Sequence, residues 1–419
     1  MSRRAKRVWI CIGIVAILIL FSECSRYRLP QYEVWQKSQG TEHKQELILW
    51  YTRKELKPYL DAVTQECEKE CNITLTCVAV SELEYLEQIK QAGMDENSRT
   101  PDLFLMSNSD LEKSYLLGLT DIPISQAYLE KNYVEPAIDA VTYQGNAYAY
   151  PLFYETGVMV YNKQYMDKTP AYISEIINFA ENSQQIEGVE HIFTWDAMEL
   201  FYDYLFAGAY AVMGGENGDD IAQISLDGEK LKQSLTYYQS LNPYFAIDAK
   251  QMSEERIVDE FAQGKIIFAM IGNQDLKKLE DKKTAGESQV DYGVGSLPDL
   301  TEELQGRGLS VTGSVAVNTL SEHVELADKA ARYLTGKGAE QLYRTTGLFG
   351  TAKGLSYENP EFSNSLEQYT GSCPVSKLME ASECWLKWES MFLNIWNGND
   401  VSAEVDNLSS YLQNKFHTE

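Results

Sequence analysis

Short apolar runs alternate with amphipathic segments between residues 47 and 106. Residues 47–51 (LILWY) form an apolar run that predicts a buried strand, and residues 54–71 carry apolar side chains at helical spacing. The pattern then predicts a strand at 73–80, a helix at 83–93 and a strand at 101–106. This β-α-β-α-β order predicts an α/β fold with a parallel sheet covered by helices.

Polar and aromatic residues stand at the carboxyl ends of two of these strands. Trp50 and Tyr51 end the first strand, and Ser107 and Asn108 follow the third. Ligands of open parallel sheets bind beyond the carboxyl ends of the strands. We therefore expect these four residues to contribute to a ligand-binding site.

Helical patterns dominate the rest of the chain. Residues 150–154 and 158–162 read as two strand-like runs joined by a short polar break, Glu155-Thr156-Gly157. The predicted helices are 173–180, 195–209, 228–241 and 385–396.

Several segments, in their order along the chain, resemble the family 1 extracellular solute-binding proteins, the capture subunits of ABC importers. Residues 150–163 (YPLFYETGVMVYNK) resemble the first hinge crossover of that family. Residues 261–271 (FAQGKIIFAMI) resemble its F-x-x-G-K-x-A-M signature, and residues 313–318 (GSVAVN) resemble its third crossover. The resemblance extends over about residues 46–415.

The resemblance implies a periplasmic-binding-protein-like fold, with two α/β lobes joined by a three-segment hinge around a central ligand cleft. It places residues 46–153 and 272–313 in lobe 1, with Gly272 to Gln274 leading the chain back into that lobe. Residues 157–268 and 317–419 are assigned to lobe 2. Such a protein captures a small solute, closes around it and delivers it to an ABC permease in the membrane, without catalysis.

Residue by residue, the resemblance carries over part of a sugar-binding site. Glu155, Glu190 and Trp385 match sugar-contacting positions, whereas Gln274 replaces a stacking tryptophan and Glu389 replaces an arginine. The expected ligand is thus a sugar or small oligosaccharide, and a maltodextrin specificity is not predicted. The predicted ligand-binding residues are Trp50, Tyr51, Ser107, Asn108, Glu155, Glu190, Trp195, Asn273, Gln274, Ser314 and Trp385.

The N-terminus predicts export. Basic residues between Arg3 and Arg7 precede an uncharged apolar run, residues 8–21, which is shorter than the roughly 20 residues of a membrane span. Cys24 resembles the lipidated cysteine of a bacterial lipoprotein, although Glu23 stands where a small residue is usual. We expect a lipid anchor at Cys24 after a signal at 1–24, with residues 25–45 as a tether. An uncleaved N-terminal membrane anchor is the alternative.

Composition limits the classes of molecule that the protein can bind. The 419 residues carry a formal net charge of −26, which excludes a nucleic-acid-binding function because phosphate recognition requires basic surface. Solubility at the cell surface is the favoured explanation of this charge, ahead of a preference for cationic ligands. Of seven cysteines, Cys373 and Cys384 are the most plausible disulfide pair. A monomer is expected.

Two other function classes remain open. A sensor or adhesin could use the same scaffold, and Glu155 with Glu190 could serve as the carboxyl pair of a glycosidase. The chain carries no P-loop, nucleophile-elbow or zinc-protease motif, and its four histidines are scattered. Neither an enzyme nor a cofactor or metal is therefore predicted.

Overall fold

The structure, a computed structural model, describes residues 45–95, 98–183, 185–215 and 217–416. The predicted export signal, Cys24 and all of the tether except residue 45 lie outside the described residues. Within those residues, every helix is too short or too polar to traverse a bilayer.

Strands and helices alternate along most of the described chain. The strands are β1 Gln45–Tyr51, β2 Ile73–Ala79, β3 Leu103–Ser107, β4 Thr142–Tyr143, β5 Asn146–Ala147, β6 Tyr150–Asn162, β7 His191–Thr194, β8 Ala211–Met213, β9 Ile224–Leu226, β10 Ile266–Gly272, β11 Tyr292–Gly295, β12 Leu309–Val317, β13 Phe349–Gly350 and β14 Cys373–Pro374. The α-helices are α1 Lys57–Cys71, α2 Tyr85–Met94, α3 Leu111–Leu116, α4 Gln126–Asn132, α5 Glu135–Ala140, α6 Ile173–Asn182, α7 Leu200–Asp203, α8 Gly228–Phe245, α9 Glu254–Ala262, α10 Leu276–Thr284, α11 Val324–Thr335, α12 Leu342–Thr346, α13 Ser363–Gly371, α14 Met379–Ser382, α15 Trp385–Trp396 and α16 Val401–Phe416.

One sheet runs through the whole described molecule in the order β2-β1-β3-β12-β6-β10-β7. β1 pairs in parallel with β2 and β3, and β10 pairs in parallel with β7. β6 and β12 are antiparallel to each other and to their outer neighbours β10 and β3. The parallel β1–β3 unit, with helices α1 and α2 between its strands, confirms the order predicted from the apolar periodicity.

Two separate hydrophobic cores divide this sheet into two lobes. The core of lobe 1 draws on residues 47–153 and 315–348. The core of lobe 2 draws mainly on residues 154–309 and 349–412. The fold is therefore the two-lobed α/β architecture of periplasmic binding proteins, as the resemblance implied.

The chain passes between the cores three times, but the second and third passages differ from the predicted ones. They lie in β12, and between Leu348 and Phe349. The chain does not return to lobe 1 at Gly272, because β11 pairs with the lobe 2 part of β6 and Leu276 packs in the lobe 2 core. Conversely, α11 packs in lobe 1, so residues 276–300 and 324–348 exchange their predicted lobes.

Two local predictions are also corrected. The predicted break at Glu155 is absent, because β6 continues through it as one strand of 13 residues paired with β12. The helix predicted at 195–209 is reduced to α7 and a 3-10 turn. There the chain passes close to a neighbouring segment: a Cβ on Gly208 would lie 2.1 Å from the backbone oxygen of Arg307.

The cysteine prediction is wrong as well. The described cysteines are free thiols, and Cys373 and Cys384 donate separately to the backbone oxygens of Gly208 and Glu380.

Candidate functional site

A cleft of about 170 Å³ opens where β1 and β3 end against the two strands that cross between the lobes. Thr52 and Arg53 follow β1, and Ser107 ends β3. Phe153 of β6 and Ser314 of β12 form the side nearest the hinge. The cleft thus lies beyond the carboxyl ends of the parallel strands, where the sheet topology predicts a ligand.

An ion pair joins the end of β1 to the hinge strand. Arg53 Nη1 and Nη2 donate to the two carboxylate oxygens of Glu155 at 2.5 and 2.8 Å. The side chain of Glu155 is only 14% exposed, and the backbone of Glu155 is paired with Val311 of β12. A two-point contact of this kind fixes the plane of both groups, because the guanidinium fork matches the carboxylate geometry.

The surroundings keep Arg53 charged. Burial opposes the charge, but the hydrogen bonds and the attraction from Glu155 outweigh it and raise the pKa of Arg53. The guanidinium also lies 5.0 Å from the centre of the Phe153 ring. Gly313 makes this packing possible, since a Cβ there would lie 2.1 Å from that ring.

In lobe 2, Gln274 follows the end of β10 and is not one of the residues that line the cleft. Its side chain folds back over Gly272, where a Cβ would lie 2.1 Å from Nε2, and Nε2 donates to Glu254 Oε1 at 3.0 Å. Tyr202 donates to the same oxygen at 2.5 Å. Burial, reinforced by the neighbouring Glu254, raises the pKa of Asp275 to about 8, so these two carboxyl groups share one negative charge at neutral pH.

Further carboxylates lie beside this group. Burial, followed by the charges of Asp196, Glu389 and Glu254, raises the pKa of Glu199. Asp196 lies just beyond the carboxyl end of β7, and its carboxylate accepts the backbone N–H groups of Met198 and Glu254. The carboxyl edge of the lobe 2 sheet therefore carries several carboxyl groups, of which Asp275 also pairs with Lys278 at 2.5 Å.

Comparison with known proteins agrees with this two-lobed architecture. Residues 62–367, well over half of the chain, match the family of bacterial extracellular solute-binding proteins. The chain belongs to this family.

Curated relatives cover most of the chain. A maltodextrin-binding protein of Bacillus subtilis is 22% identical over 82% of this chain and 83% of its own length. A maltooligosaccharide ABC transporter solute-binding lipoprotein of Streptococcus pneumoniae is 22% identical over 88% of each chain.

Solved structures of the family share the fold. An extracellular solute-binding protein of Staphylococcus aureus in complex with maltose superimposes with a TM-score of 0.74 at 18% identity, covering 90% of this chain and 99% of the other. A cyclo/maltodextrin-binding protein in complex with maltotetraose gives 0.73 at 18% identity, covering 91% and 99%.

In this solute-binding protein, only some of the predicted ligand-binding residues lie at the cleft. Ser107 and Ser314 line it directly, and Glu155 reaches it through Arg53. Trp385 is half-buried against the lobe 2 core at the start of α15. The sequence prediction omitted Arg53, although its place just after an apolar strand was a signal for it.

Two predicted ligand-binding residues are structural instead. The side-chain amide of Asn108 accepts from the Thr312 N–H at 3.0 Å and donates to the Val375 carbonyl at 2.6 Å. The amide of Asn273 bonds to the backbone of Thr156 and to Ser365 Oγ. Both are fully buried at the junction of the lobes, so their polar atoms are already used to hold the hinge together.

Three predicted aromatic contacts are corrected. Trp50 and Tyr51 are buried in the lobe 1 core, and Trp195 is completely buried in the lobe 2 core. The indole N–H of Trp195 donates to Asp203 Oδ1 at 2.8 Å. With exposures of 7%, 4% and 0%, Trp50, Tyr51 and Trp195 have almost no surface left for a ligand.

Glu190 is the last of the corrected ligand-binding residues. It precedes β7 at the end remote from the hinge, where His191 pairs with Ile266, the first residue of β10. It is exposed and forms an ion pair with Lys265 at 2.9 Å, which lowers the pKa of Glu190. Its place at the opposite end of the lobe 2 sheet excludes it from the cleft.

Asp203, the hydrogen-bond partner of Trp195, should make the stability of the protein depend on pH. Burial raises the pKa of Asp203 from 3.8 to about 8, so the folded protein keeps a proton that the unfolded chain releases in that interval. The free energy of unfolding should therefore fall as the pH rises from about 4 to 8. Asp203→Asn cannot lose a proton and still offers Trp195 an oxygen acceptor.

We expect Asp203→Asn to gain stability relative to the wild type as the pH rises from 4 to 8, by at most ~1.4 kcal/mol per pH unit, because only the wild type has to keep a buried proton. Urea unfolding of both proteins between pH 4 and 8 measures this difference. Asp227→Asn, at the exposed start of α8, is the control and should follow the wild type. A constant difference between Asp203→Asn and wild type across this range would contradict the assignment.

Proposed function

We propose that this protein captures a sugar or small oligosaccharide between its lobes and delivers it to an ABC transporter permease. The observation that carries the proposal is the Arg53–Glu155 pair, held at the cleft by one strand that runs unbroken through the hinge. The maltodextrin- and maltooligosaccharide-binding relatives support the same class of ligand.

The chemistry of the pair suits a polyhydroxyl ligand. Each carboxylate oxygen of Glu155 has a further lone pair that can accept from a hydroxyl group, and the guanidinium of Arg53 can donate to one. A desolvated hydroxyl is costly unless it is paired, so fixed donors and acceptors favour such a ligand over an apolar one. Ser107 would add a hydroxyl contact from lobe 1, with Gln274 and the face of Trp385 from lobe 2. Ser314 is 1% exposed and its hydroxyl already donates to the Met106 carbonyl.

Closure of the lobes follows from this division of contacts. A ligand that binds only one lobe in the open form gains the contacts of the other lobe when the cleft shuts. Its differential affinity for the closed form sets how far the equilibrium moves. β6, β12 and the Leu348–Phe349 connection would act as the hinge, and a permease would recognise the closed form as loaded.

The geometry argues against the glycosidase alternative. β10 has its hinge end at Gly272, which pairs with Gly157, and Glu155 lies two residues before Gly157. Glu190 lies beside the other end of β10, next to Ile266. Six residues of extended strand separate these ends by ~20 Å. Paired carboxyl groups in glycosidases are roughly 5–10 Å apart, so we propose a binding protein without catalytic activity.

The family is extracellular, which agrees with the predicted export signal. We propose that the mature protein begins at a lipidated Cys24, that residues 25–45 tether it to the cell membrane, and that it acts as a monomer. The S. pneumoniae relative is a lipoprotein by its name, which supports this arrangement. Mass spectrometry of the native N-terminus tests the anchor, and an intact Met1 would contradict it.

A thermal-shift screen tests the proposed ligand class. We expect maltose, maltotetraose or another saccharide to raise the melting temperature, because a ligand present at a hundred times its Kd adds ~2.7 kcal/mol to the free energy of unfolding. Amino acids, polyamines and phosphorylated polyols serve as controls. A shift with spermidine or an amino acid, and none with any saccharide, would contradict the proposal and would point to the acidic lobe 2 edge instead.

A further inference from the structure

Glu190, His191 and Glu260 form a compact cluster at the edge of lobe 2 remote from the cleft. One ligand atom from each residue lies within 4.8 Å of the other two. The backbone N–H groups of Glu190 and His191 both donate to the Lys265 carbonyl, at 2.8 and 3.0 Å. These bonds fix the start of β7 beside the end of α9, which carries Glu260.

One carboxylate oxygen in this cluster has no partner. Glu260 is only 8% exposed, and its Oε1 accepts from Arg256 Nε at 2.7 Å. Its Oε2 is buried without a hydrogen bond and faces His191 Nε2 at 4.0 Å. A buried charged acceptor left unpaired costs at least ~1–3 kcal/mol. A group that bridges this oxygen to the imidazole would remove that cost.

We propose that the cluster is a binding site for a divalent transition-metal ion of the Zn²⁺ class. The ion would take the imidazole nitrogen of His191 and one oxygen from each glutamate, with water completing the coordination. An imidazole with two carboxylates is a donor set that zinc, cobalt and nickel accept, whereas calcium and magnesium prefer oxygen alone.

The present spacing requires only a small contraction. Ligand atoms about 2.0–2.2 Å from a tetrahedral zinc ion are ~3.4 Å apart, so the widest separation in the cluster has to shrink by about 1.4 Å. Glu190 is exposed and the side chain of His191 is 21% exposed, so both can rotate towards the buried Glu260. The rigid member is thus the one already aimed at the site.

Two cationic side chains lie next to the cluster and each pairs with one of its carboxylates. Lys265 pairs with Glu190 Oε1 at 2.9 Å and Arg256 with Glu260 Oε1, so neither occupies the free Glu260 Oε2. The Lys265 side chain is 36% exposed and can turn into solvent when an ion binds. Glu255 and Asp259 line a surface depression together with Glu260 and Lys265, and they add negative charge beside the cluster. A bound ion would clamp β7 to α9 and stabilise lobe 2.

Titration of the metal-free full-length chain with Co²⁺ tests the site. Calorimetry and visible absorption are the two readouts of this titration. We expect one site with nitrogen–oxygen coordination and a rise in melting temperature. His191→Ala and Glu190→Gln should each weaken Co²⁺ binding by more than about tenfold, because each removes a proposed direct ligand and even a group that only orients a ligand contributes about that much. His323→Ala, at the start of α11, is the matched control and should bind as the wild type does.

Absorption separates this site from the thiols of the chain. Thiolate-to-cobalt charge-transfer bands, or equal affinity in His191→Ala and the wild type, would overturn the proposal. Glu190→Gln guards against misfolding, because Glu190 lies on the surface and its loss leaves the lobe 2 core unchanged. Since the cluster is far from the cleft, saccharide binding should not respond to either variant.

Discussion

Replacing Trp195 by alanine is expected to destabilise the protein more than any other single change considered. The ring is completely buried and packs against Phe193, Phe206 and Trp396 at centroid distances of 5.1–5.8 Å. Removing it leaves a large cavity, which costs ~3–5 kcal/mol for a buried Phe or Trp. Asp203 also loses its indole donor while remaining buried.

Urea unfolding measures this loss, which we put at about 5 kcal/mol, a large part of the ~5–15 kcal/mol stability of a typical domain. Trp195→Phe keeps most of the ring without the N–H and should lose roughly half as much. Trp385→Ala is the matched control: its ring is only partly buried against the lobe 2 core, so the change should cost less stability than Trp195→Ala but should weaken saccharide binding. A Trp195→Ala protein as stable as Trp385→Ala would show that Trp195 is not a core residue.

Replacing Glu155 by alanine should weaken binding of any saccharide found in the screen by about 10- to 100-fold, or ~1.4–2.7 kcal/mol. The variant loses a carboxylate acceptor at the cleft and also leaves the Arg53 guanidinium without the partner that orients it. Isothermal titration calorimetry with that saccharide measures the effect. Folding should persist, because the pair is partly exposed on the Arg53 side.

Two variants control for this result. Glu55→Ala removes the other carboxylate bonded to Arg53. The side chain of Glu55 is 49% exposed, so the change should alter the saccharide affinity by less than about threefold, as expected for an exposed ion pair. Glu190→Ala removes an acidic residue at the end of the lobe 2 sheet that is remote from the cleft. This change should leave the saccharide affinity unaltered. If Glu155→Ala bound the saccharide as tightly as Glu55→Ala does, the proposed role of the ion pair would be wrong.

Much of the fold was predictable because it depends on local patterns. Residues 47–51 and 101–106 are apolar runs too short for helices, and the structure has strands there. Residues 385–396 carry an apolar face at helical spacing and form α15 over the same range. The pattern of residues 195–209 wrongly predicted one long helix. The short turns there follow instead from contacts with residue 307 and with the lobe 2 core.

The lobe boundaries show a different limit. β10 and β12 are both apolar strands that look suited to crossing between lobes, and local pattern does not distinguish them. The distinction comes from pairing: β10 adds to the lobe 2 part of β6, whereas β12 extends past Gly313 to pair with β3. Which strand crosses is thus decided by its partners.

The sequence alone determined the α/β class and the family likeness, and it predicts an export signal and a ligand-binding role for Glu155, because these depend on residue type and on spacing along the chain. Only the tertiary structure showed that Arg53, 102 residues away, holds Glu155, that Trp195 is a core residue and that Glu190 lies remote from the cleft. The physical reason is that burial and ion pairing depend on which distant segments meet, and segments of equal hydrophobicity can meet in several ways. Packing of the two cores selects one of those arrangements.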